Sequence, residues 1–344
     1  MSDLPPTRVG LIGTGLMARY HLSTMVGRPD TYVVAVCEPS LGNWEGASAE
    51  FALREVAPPP NEPDWERFLD RFAAALDAVV ISTPHALHHA QAAACLEAGV
   101  DVLLEKPMVM DAAEADALIA TRDRTGRLLV VAFPGSLSPQ VREAARMLRA
   151  GELGAILNID AVAWQDWDGN ARGTWRQNPA MSGGGFLFDT GAHMLNTVAD
   201  LVGEDVTAVA AWLEDDGAPV DLRGVVMARI GSGALITMNA CGRAIPSLGS
   251  EIRVFCERAT LRTGIWGERL EIQWAGEDGL APVDAVASGT VWQQFLDVRA
   301  GRVPNPSPPE VGLRMAHLWD AIRASAAAGG AVVRLAERRP EAAA

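Results

Sequence analysis

Lysine is all but missing from this chain. Of 344 residues 29 are basic, and 28 of these are arginine, which leaves Lys106 alone. Cysteine is scarce as well. Cys37, Cys95, Cys241 and Cys256 lie far apart and form no C-x-x-C pair. That spacing argues against a disulfide framework or a zinc site, and for reduced, buried thiols in a cytoplasmic protein. No run of ~18 uncharged apolar residues occurs, so no membrane-spanning helix is expected. The N-terminal stretch holds Asp3 and two prolines and lacks the basic cluster of a secretory leader. Positive charge is outweighed by 43 acidic residues, giving a net charge of −14. That balance argues against nucleic acid or an anionic membrane as partner and favours a small-molecule enzyme.

The solitary lysine is informative. Arginine stays charged at any working pH, whereas lysine is compact and can exchange a proton. Where every other basic position has become arginine, a surviving lysine marks a place that arginine does not serve. The length exceeds the ~250–300 residues at which a single core stops growing, so two domains are expected.

Residues 8–13, 32–38, 77–82, 101–104 and 128–133 read as short buried strands. Helical patterns fall between them, at 16–26, 65–72, 87–98 and 112–125. Strands alternating with helices predict βαβ units around a doubly wound parallel sheet. After about residue 150 the pattern changes. Segments 155–164, 206–213, 223–230, 234–241 and 251–256 are strand-like and joined by short turns, among them Asp215-Asp216-Gly217 and Gly231-Ser232-Gly233. This predicts a mostly antiparallel sheet. Helices are expected at 189–201, 291–300 and 310–328. The expected organisation is an α/β domain over 1–134, an α+β domain over 135–336 and a flexible tail at 337–344. An antiparallel sheet can leave one apolar face uncovered, so a homodimer or homotetramer is expected.

Gly13-Thr14-Gly15-Leu16-Met17-Ala18 is G-x-G-x-x-A at the end of the first strand and the start of the first helix. Gly13 permits a tight turn, Gly15 lets the backbone approach a pyrophosphate, and Ala18 packs helix on strand. The helix N-terminus offers N–H groups and a positive dipole end to phosphates. Glu38 ends the second strand, 20 residues beyond Ala18. A carboxylate there accepts hydrogen bonds from both ribose hydroxyls and repels a 2′-phosphate, so NAD is expected over NADP. Ser82-Thr83-Pro84-His85 and Glu105-Lys106-Pro107 close the third and fourth strands, where open α/β sheets bind ligands. His85, His88 and His89 lack acidic or cysteine partners, and no metal is expected.

A second constellation is Gly183-Gly184-Gly185, then Asp189-Thr190-Gly191-Ala192-His193. Asp189 and His193 stand i, i+4 and share one side of a helix. The pair reads either as a carboxylate orienting a general base or as a buried Asp–His pair at a helix start.

Taken together, these motifs resemble the glucose–fructose oxidoreductase / inositol dehydrogenase / MocA-like (Gfo/Idh/MocA) oxidoreductases. The resemblance rests on residues 13–18, Thr83-Pro84 with His88, Glu105-Lys106-Pro107, Trp175-Arg176 and the Gly183-to-His193 run, and it covers nearly the whole chain. It implies a Rossmann domain that binds NAD or NADP and a second domain that supports the substrate site and subunit contacts. It implies cofactor contacts at residues 13–18, Glu38, Thr83, Pro84, His88, Glu105 and Lys106. Lys106, Asp189 and His193 fall on the family's catalytic lysine, aspartate and histidine, with Trp175 and Arg176 as further substrate contacts. The implied activity is hydride transfer between NAD(H) and a secondary alcohol of a sugar, polyol or related carbohydrate. The family also contains enzymes that oxidise a sugar transiently for elimination, hydrolysis or epimerisation, and cofactor-binding regulators. Two departures stand out. Many members follow the fifth strand with arginines, where this chain has Pro134-Gly135-Ser136, and many have Asp where it has Asn196. Both changes are expected to remove charge near the substrate.

Overall fold

The computed structural model describes residues 5–245 and 249–335. The tail expected at 337–344 lies outside the described residues. The chain divides into two compact units.

The first unit comprises Met1–Val109, Ala113–Ala132 and Gly289–Glu310. Its five strands are β1 (Thr7–Ile12), β2 (Thr31–Cys37), β3 (Ala78–Ile81), β4 (Asp101–Leu104) and β5 (Leu129–Val131). They are all parallel, in the order β2-β1-β3-β4-β5. β3 and β4 are buried at every position, which is why they read as unbroken apolar runs without alternation. Between the strands run α1 (Leu16–Met25), α2 (Leu41–Ala52), α3 (Trp65–Phe72), α4 (His88–Glu97) and α5 (Ala112–Thr125). Asp64 starts α3 by accepting from Arg67 N at 3.0 Å. Strand order reverses at β1, with β2 on one side and β3 on the other. A crevice for ligands opens at such a point, beyond the carboxyl ends of β1 and β3.

The expected second domain, 135–336, is thus interrupted. Gly289–Glu310, with its helix Val291–Arg299, belongs to the first unit. The buried Trp292 indole donates to Thr31 Oγ1 at 2.8 Å, and Arg299 Nε to Asp101 at 2.9 Å. Ser307 O accepts from Val131 N at 2.9 Å, along the edge of β5. These bonds join residues more than 150 positions apart, and no local pattern announces them.

The second unit is Met110–Ala112, Phe133–Ser288 and Val311–Ala344. Its strands are β6 (Ile156–Trp164), β7 (Val206–Glu214), β8 (Arg223–Ile230), β9 (Leu235–Cys241), β10 (Glu251–Cys256), β11 (Ala259–Thr263), β12 (Leu270–Trp274), β13 (Ala281–Pro282) and β14 (Val333–Arg334). They form one sheet, β13-β12-β11-β10-β6-β9-β8-β7-β14, antiparallel except for β6 beside β9. The five strands expected from the sequence are its centre, and β11 to β14 extend its edges. β8 and β9 alternate strictly between buried and exposed positions. Val226, Ala228, Ile230, Ile236, Met238 and Ala240 form the covered face. Among the described residues α6 (Pro134–Leu137), α7 (Pro139–Arg149), α8 (Trp167–Ala171), α9 (Pro179–Ser182), α10 (Phe186–Asp189), α11 (Gly191–Val202) and the late helix Pro309–Ala327, expected over 310–328, precede or cover the sheet. The single helix expected over 189–201 is divided at Thr190, so Asp189 ends α10 and His193 lies in the first turn of α11. No helix among the described residues is long and apolar enough to cross a membrane.

Candidate active site

In the first unit the chain turns at Gly13 with φ +86°, and a Cβ there would stand 2.6 Å from Ser82 O. Conformation and contact both demand glycine. Gly15 caps α1, and the direction of its absent Cβ is open for 4 Å. Ala18 is buried against the sheet, whereas Leu16 and Met17 are exposed. The first turn of α1 carries no acidic side chain, so its N–H groups and dipole favour an anion. These features fit the pyrophosphate of a dinucleotide.

Glu38 fits the ribose. Its Oε2 accepts from Thr14 N (2.7 Å) and Thr14 Oγ1 (3.0 Å), and its Oε1 accepts from Ser40 N (2.8 Å). The carboxylate therefore locks the glycine loop to the end of β2. Three of its about four lone-pair sites are taken within the chain.

Glu105 follows β4, with its N–H on Ile81 O at 2.9 Å. Its carboxylate meets His21 Nε2 at 2.7 Å and accepts from Lys106 N at 3.2 Å. Burial works to raise the carboxyl's pKa, but the hydrogen bond and charge of His21 and the charge of Lys106 outweigh it, so Glu105 titrates below the ordinary range. Lys106 itself is half-buried. Thr83 Oγ1 donates to Gln91 at 2.6 Å, steadying the Thr83-Pro84 turn against α4. His88, expected at the cofactor, is instead wholly buried, with Nδ1 2.9 Å from Pro107 O and Nε2 3.0 Å from Thr83 O. Burial lowers its pKa. A neutral ring carries one N–H, so one of these contacts is a donated bond and the other a close approach. Both side chains are engaged within the chain, His88 on the Thr83 and Pro107 carbonyls and Glu105 on His21 and the Lys106 main chain.

In the second unit the glycine run serves the chain itself. A Cβ at Gly184 would meet Trp319 at 2.5 Å, and one at Gly185 would meet Asp221 O at 1.9 Å. Asp221 then starts α10, accepting from Gly185 N (2.6 Å) and Leu187 N (3.0 Å). This places Asp189, whose Oδ2 accepts from the Trp167 indole (2.8 Å) and from Arg176 Nε (3.0 Å). Two donors on one oxygen hold the carboxylate in place. The Arg176 guanidinium also lies over the Trp175 ring, 4.6 Å from its centroid. The His193 ring packs at 5.8 Å from that of Trp266, and both Asp189 and His193 are buried. Of the residues expected here, Arg176 and Asp189 are in direct contact, with Trp175 stacked beneath. Trp167, Trp266 and Asp221 were not expected. A pair of tryptophans at the end of β6, Trp164 and Trp167, was the available signal.

The two departures at 136 and 196 meet each other. Asn196 Nδ2 donates to Ser136 Oγ at 2.8 Å, and Ser136 donates to Asp200, which also pairs with Arg314. Ser136 and Asn196 are buried. The two changes are thus joined in one buried contact inside the second unit, which runs on to the Asp200–Arg314 pair. Gly135 belongs to it, since a Cβ there would stand 2.1 Å from Thr197 Oγ1.

One unit thus carries a parallel sheet with a dinucleotide loop, and the other a held carboxylate and a histidine on helices beside a mostly antiparallel sheet, an arrangement of the kind found in two-domain oxidoreductases. Residues 7–133 match the oxidoreductase family with an NAD-binding Rossmann fold, and 141–262 match the GFO/IDH/MocA C-terminal domain. Inositol 2-dehydrogenase 4 of Saccharopolyspora erythraea is 30% identical over 268 residues, covering 75% of this chain and 73% of that protein. Levoglucosan dehydrogenase of Pseudarthrobacter phenanthrenivorans is 30% identical over 60% of this chain and 55% of its own length. Among solved structures, an inositol dehydrogenase homologue from Azotobacter vinelandii with NAD+ superposes with a TM-score of 0.82 at 20% identity, covering 96% of this chain and 98% of that one. A levoglucosan dehydrogenase complex with NADH and L-sorbose gives 0.81 at 22% identity, covering 97% and 100%. The chain belongs to the Gfo/Idh/MocA oxidoreductase family. It is an NAD-binding oxidoreductase.

Proposed function

We propose that the chain is a dehydrogenase acting on a secondary alcohol of a sugar, polyol or related carbohydrate, with NAD preferred over NADP. The observation that carries this is the held carboxylate. Asp189 is fixed as an acceptor by Trp167 and Arg176, four residues before a buried histidine. NAD supplies the hydride acceptor. His193 takes the hydroxyl proton, Asp189 orients the hydroxyl or the imidazole, and Lys106 hydrogen-bonds the reacting oxygen and stabilises its alkoxide character. Trp175 and Arg176 wall the substrate. Glu38 supports the NAD preference, since residues 39–43 offer no cation to a 2′-phosphate. The relatives named above act on inositol and levoglucosan, which supports the substrate class.

The net charge of −14 supports a protein that binds neither nucleic acid nor membranes, and the unpaired cysteines support a cytoplasmic setting. The uncovered face of the second sheet supports a homodimer or homotetramer. The test is a panel of polyols and sugars with NAD or NADP, read by NADH absorbance. Net reduction with at least one carbohydrate is expected, with tighter calorimetric binding of NAD than NADP. Bound cofactor without net reduction would turn the reading to transient oxidation, and turnover with no panel member by any readout would refute it.

A further inference from the structure

Lys106 sits in a turn gripped by two buried histidines. His21 lies on α1, six residues past Gly15, and is 1% exposed. Its Nε2 meets Glu105 Oε1 at 2.7 Å, and among the described residues its Nδ1 has no hydrogen-bond partner. The ring's polar contact is therefore spent on one carboxylate. That carboxylate in turn accepts from the Lys106 main-chain N. On the other side His88 reaches the carbonyl of Pro107 with one nitrogen and that of Thr83 with the other. Residues 105 and 107 are thus each contacted by a separate helix, α1 and α4, and residue 106 is the one between them in the chain.

We propose that His21 and His88 are positioning residues for Lys106, and that the His21–Glu105 contact couples the lysine to the nucleotide-binding helix. α1 begins at the loop that receives the pyrophosphate, and the same helix holds the base of the lysine turn. A shift of α1 on cofactor binding therefore moves Glu105 and, through its carboxylate, the Lys106 backbone. Neither histidine touches the reacting atoms in this scheme. The proposal rests on Lys106 acting in the reaction, but its test needs no substrate.

Because Lys106 is the only lysine, its amine can be read alone. Reductive methylation with 13C-formaldehyde gives one dimethyl-lysine resonance, apart from that of the chain's α-amino group. In the wild-type protein this resonance should differ from that of free dimethyl-lysine and shift when NADH is added. His21→Leu removes the donor, so the resonance should move toward the free position and stop responding to NADH. The NADH Kd, from fluorescence, should rise about ten-fold, the scale of one charge-assisted hydrogen bond. His21→Gln keeps a neutral donor near the Nε2 position and should restore both readouts to within about three-fold. His88→Gln keeps one of the two contacts and should displace the resonance with little change in NADH Kd. A folded His21→Leu protein with a wild-type lysine resonance and NADH affinity would overturn the proposal. Should that variant not fold, Glu105→Gln takes its place in the same comparison. If neither folds, the pair is structural and the proposal fails.

Discussion

A guanidinium is a poor substitute at position 106, because the turn that carries the residue is fixed on both sides. Glu105 is tied to His21, and the buried His88 ring lies against the Pro107 and Thr83 carbonyls, so the backbone has little room to retreat before a longer, planar head group. Lys106→Arg should fold normally, with unchanged circular dichroism, and lose about 100-fold in kcat, the scale of a small misplacement of the reacting groups. Lys106→Met removes charge and hydrogen bond together and should be at least as impaired. Equal turnover in the arginine variant would show that position 106 supplies only charge. The same turn makes a prediction about acid. Glu105 titrates below its ordinary value when folded, so the unfolded chain binds its proton more readily. Its contribution to stability is therefore complete above the ordinary glutamate range and lost as pH falls through the depressed folded value. Thermal melts from pH 7 downward should show a fall in Tm on acidification, and Glu105→Gln should start lower and fall less. A parallel decline in both proteins would remove Glu105 from the account.

At the scale of elements, the position of Asp189 depends on how α10 begins. Asp221 accepts from the N–H groups of Gly185 and Leu187, and the glycines at 184 and 185 let this helix start press against Trp319 and the Asp221 backbone. Asp221→Ala should cost about 1–2 kcal/mol, the usual effect of losing an N-terminal cap, measured by urea unfolding. Because α10 carries Asp189, kcat should fall as well, and an unchanged kcat would separate the cap from the site. Asp221 itself could not have been found from sequence, since it lies 34 to 36 residues from its partners on a turn without a motif. What could be read was local. Buried strands, the glycine loop and Glu38 each show within a window of a few residues, because strand burial and φ > 0 turns are decided there. The assignment of Gly289–Glu310 to the first unit could not be read, since it depends on Trp292 reaching Thr31 across 261 positions. Nor could the break at Thr190, where two helical turns abut without any proline to mark the joint. The pairing of Ser136 with Asn196 shows the same limit from the other side. Two departures from the family pattern, 60 residues apart, read as two losses until the contact joins them.

For the whole molecule, the second sheet poses a solvation problem. One face is covered by helices, while the other presents Trp212, Val225, Met227 and Leu235 to solvent from β7, β8 and β9. Trp212 stands opposite Val225, and Ala210 opposite Met227, so these side chains are neighbours across adjacent strands and not scattered apolar positions. Contiguous apolar surface of this kind marks an interface in a stable protein. A self-complementary twofold contact needs only one such patch, and ~800 Å² per partner is the usual size of a stable one. Arg223 and Arg229 flank the apolar positions of β8, giving the polar rim that such patches carry. Sedimentation at micromolar concentration should therefore give a multiple of the 36.5 kDa chain mass. Met227→Glu places a charge in the middle of the patch, where each copy would face its twin's, and should shift the protein toward monomer. The side chain is exposed in the single chain, so the fold should survive with a near-wild-type Tm at high dilution. NADH affinity should also persist, because the nucleotide loop lies wholly in the first unit. A wild-type protein that sediments as a monomer would refute the assignment of this face, and an oligomer indifferent to Met227→Glu would move the interface elsewhere.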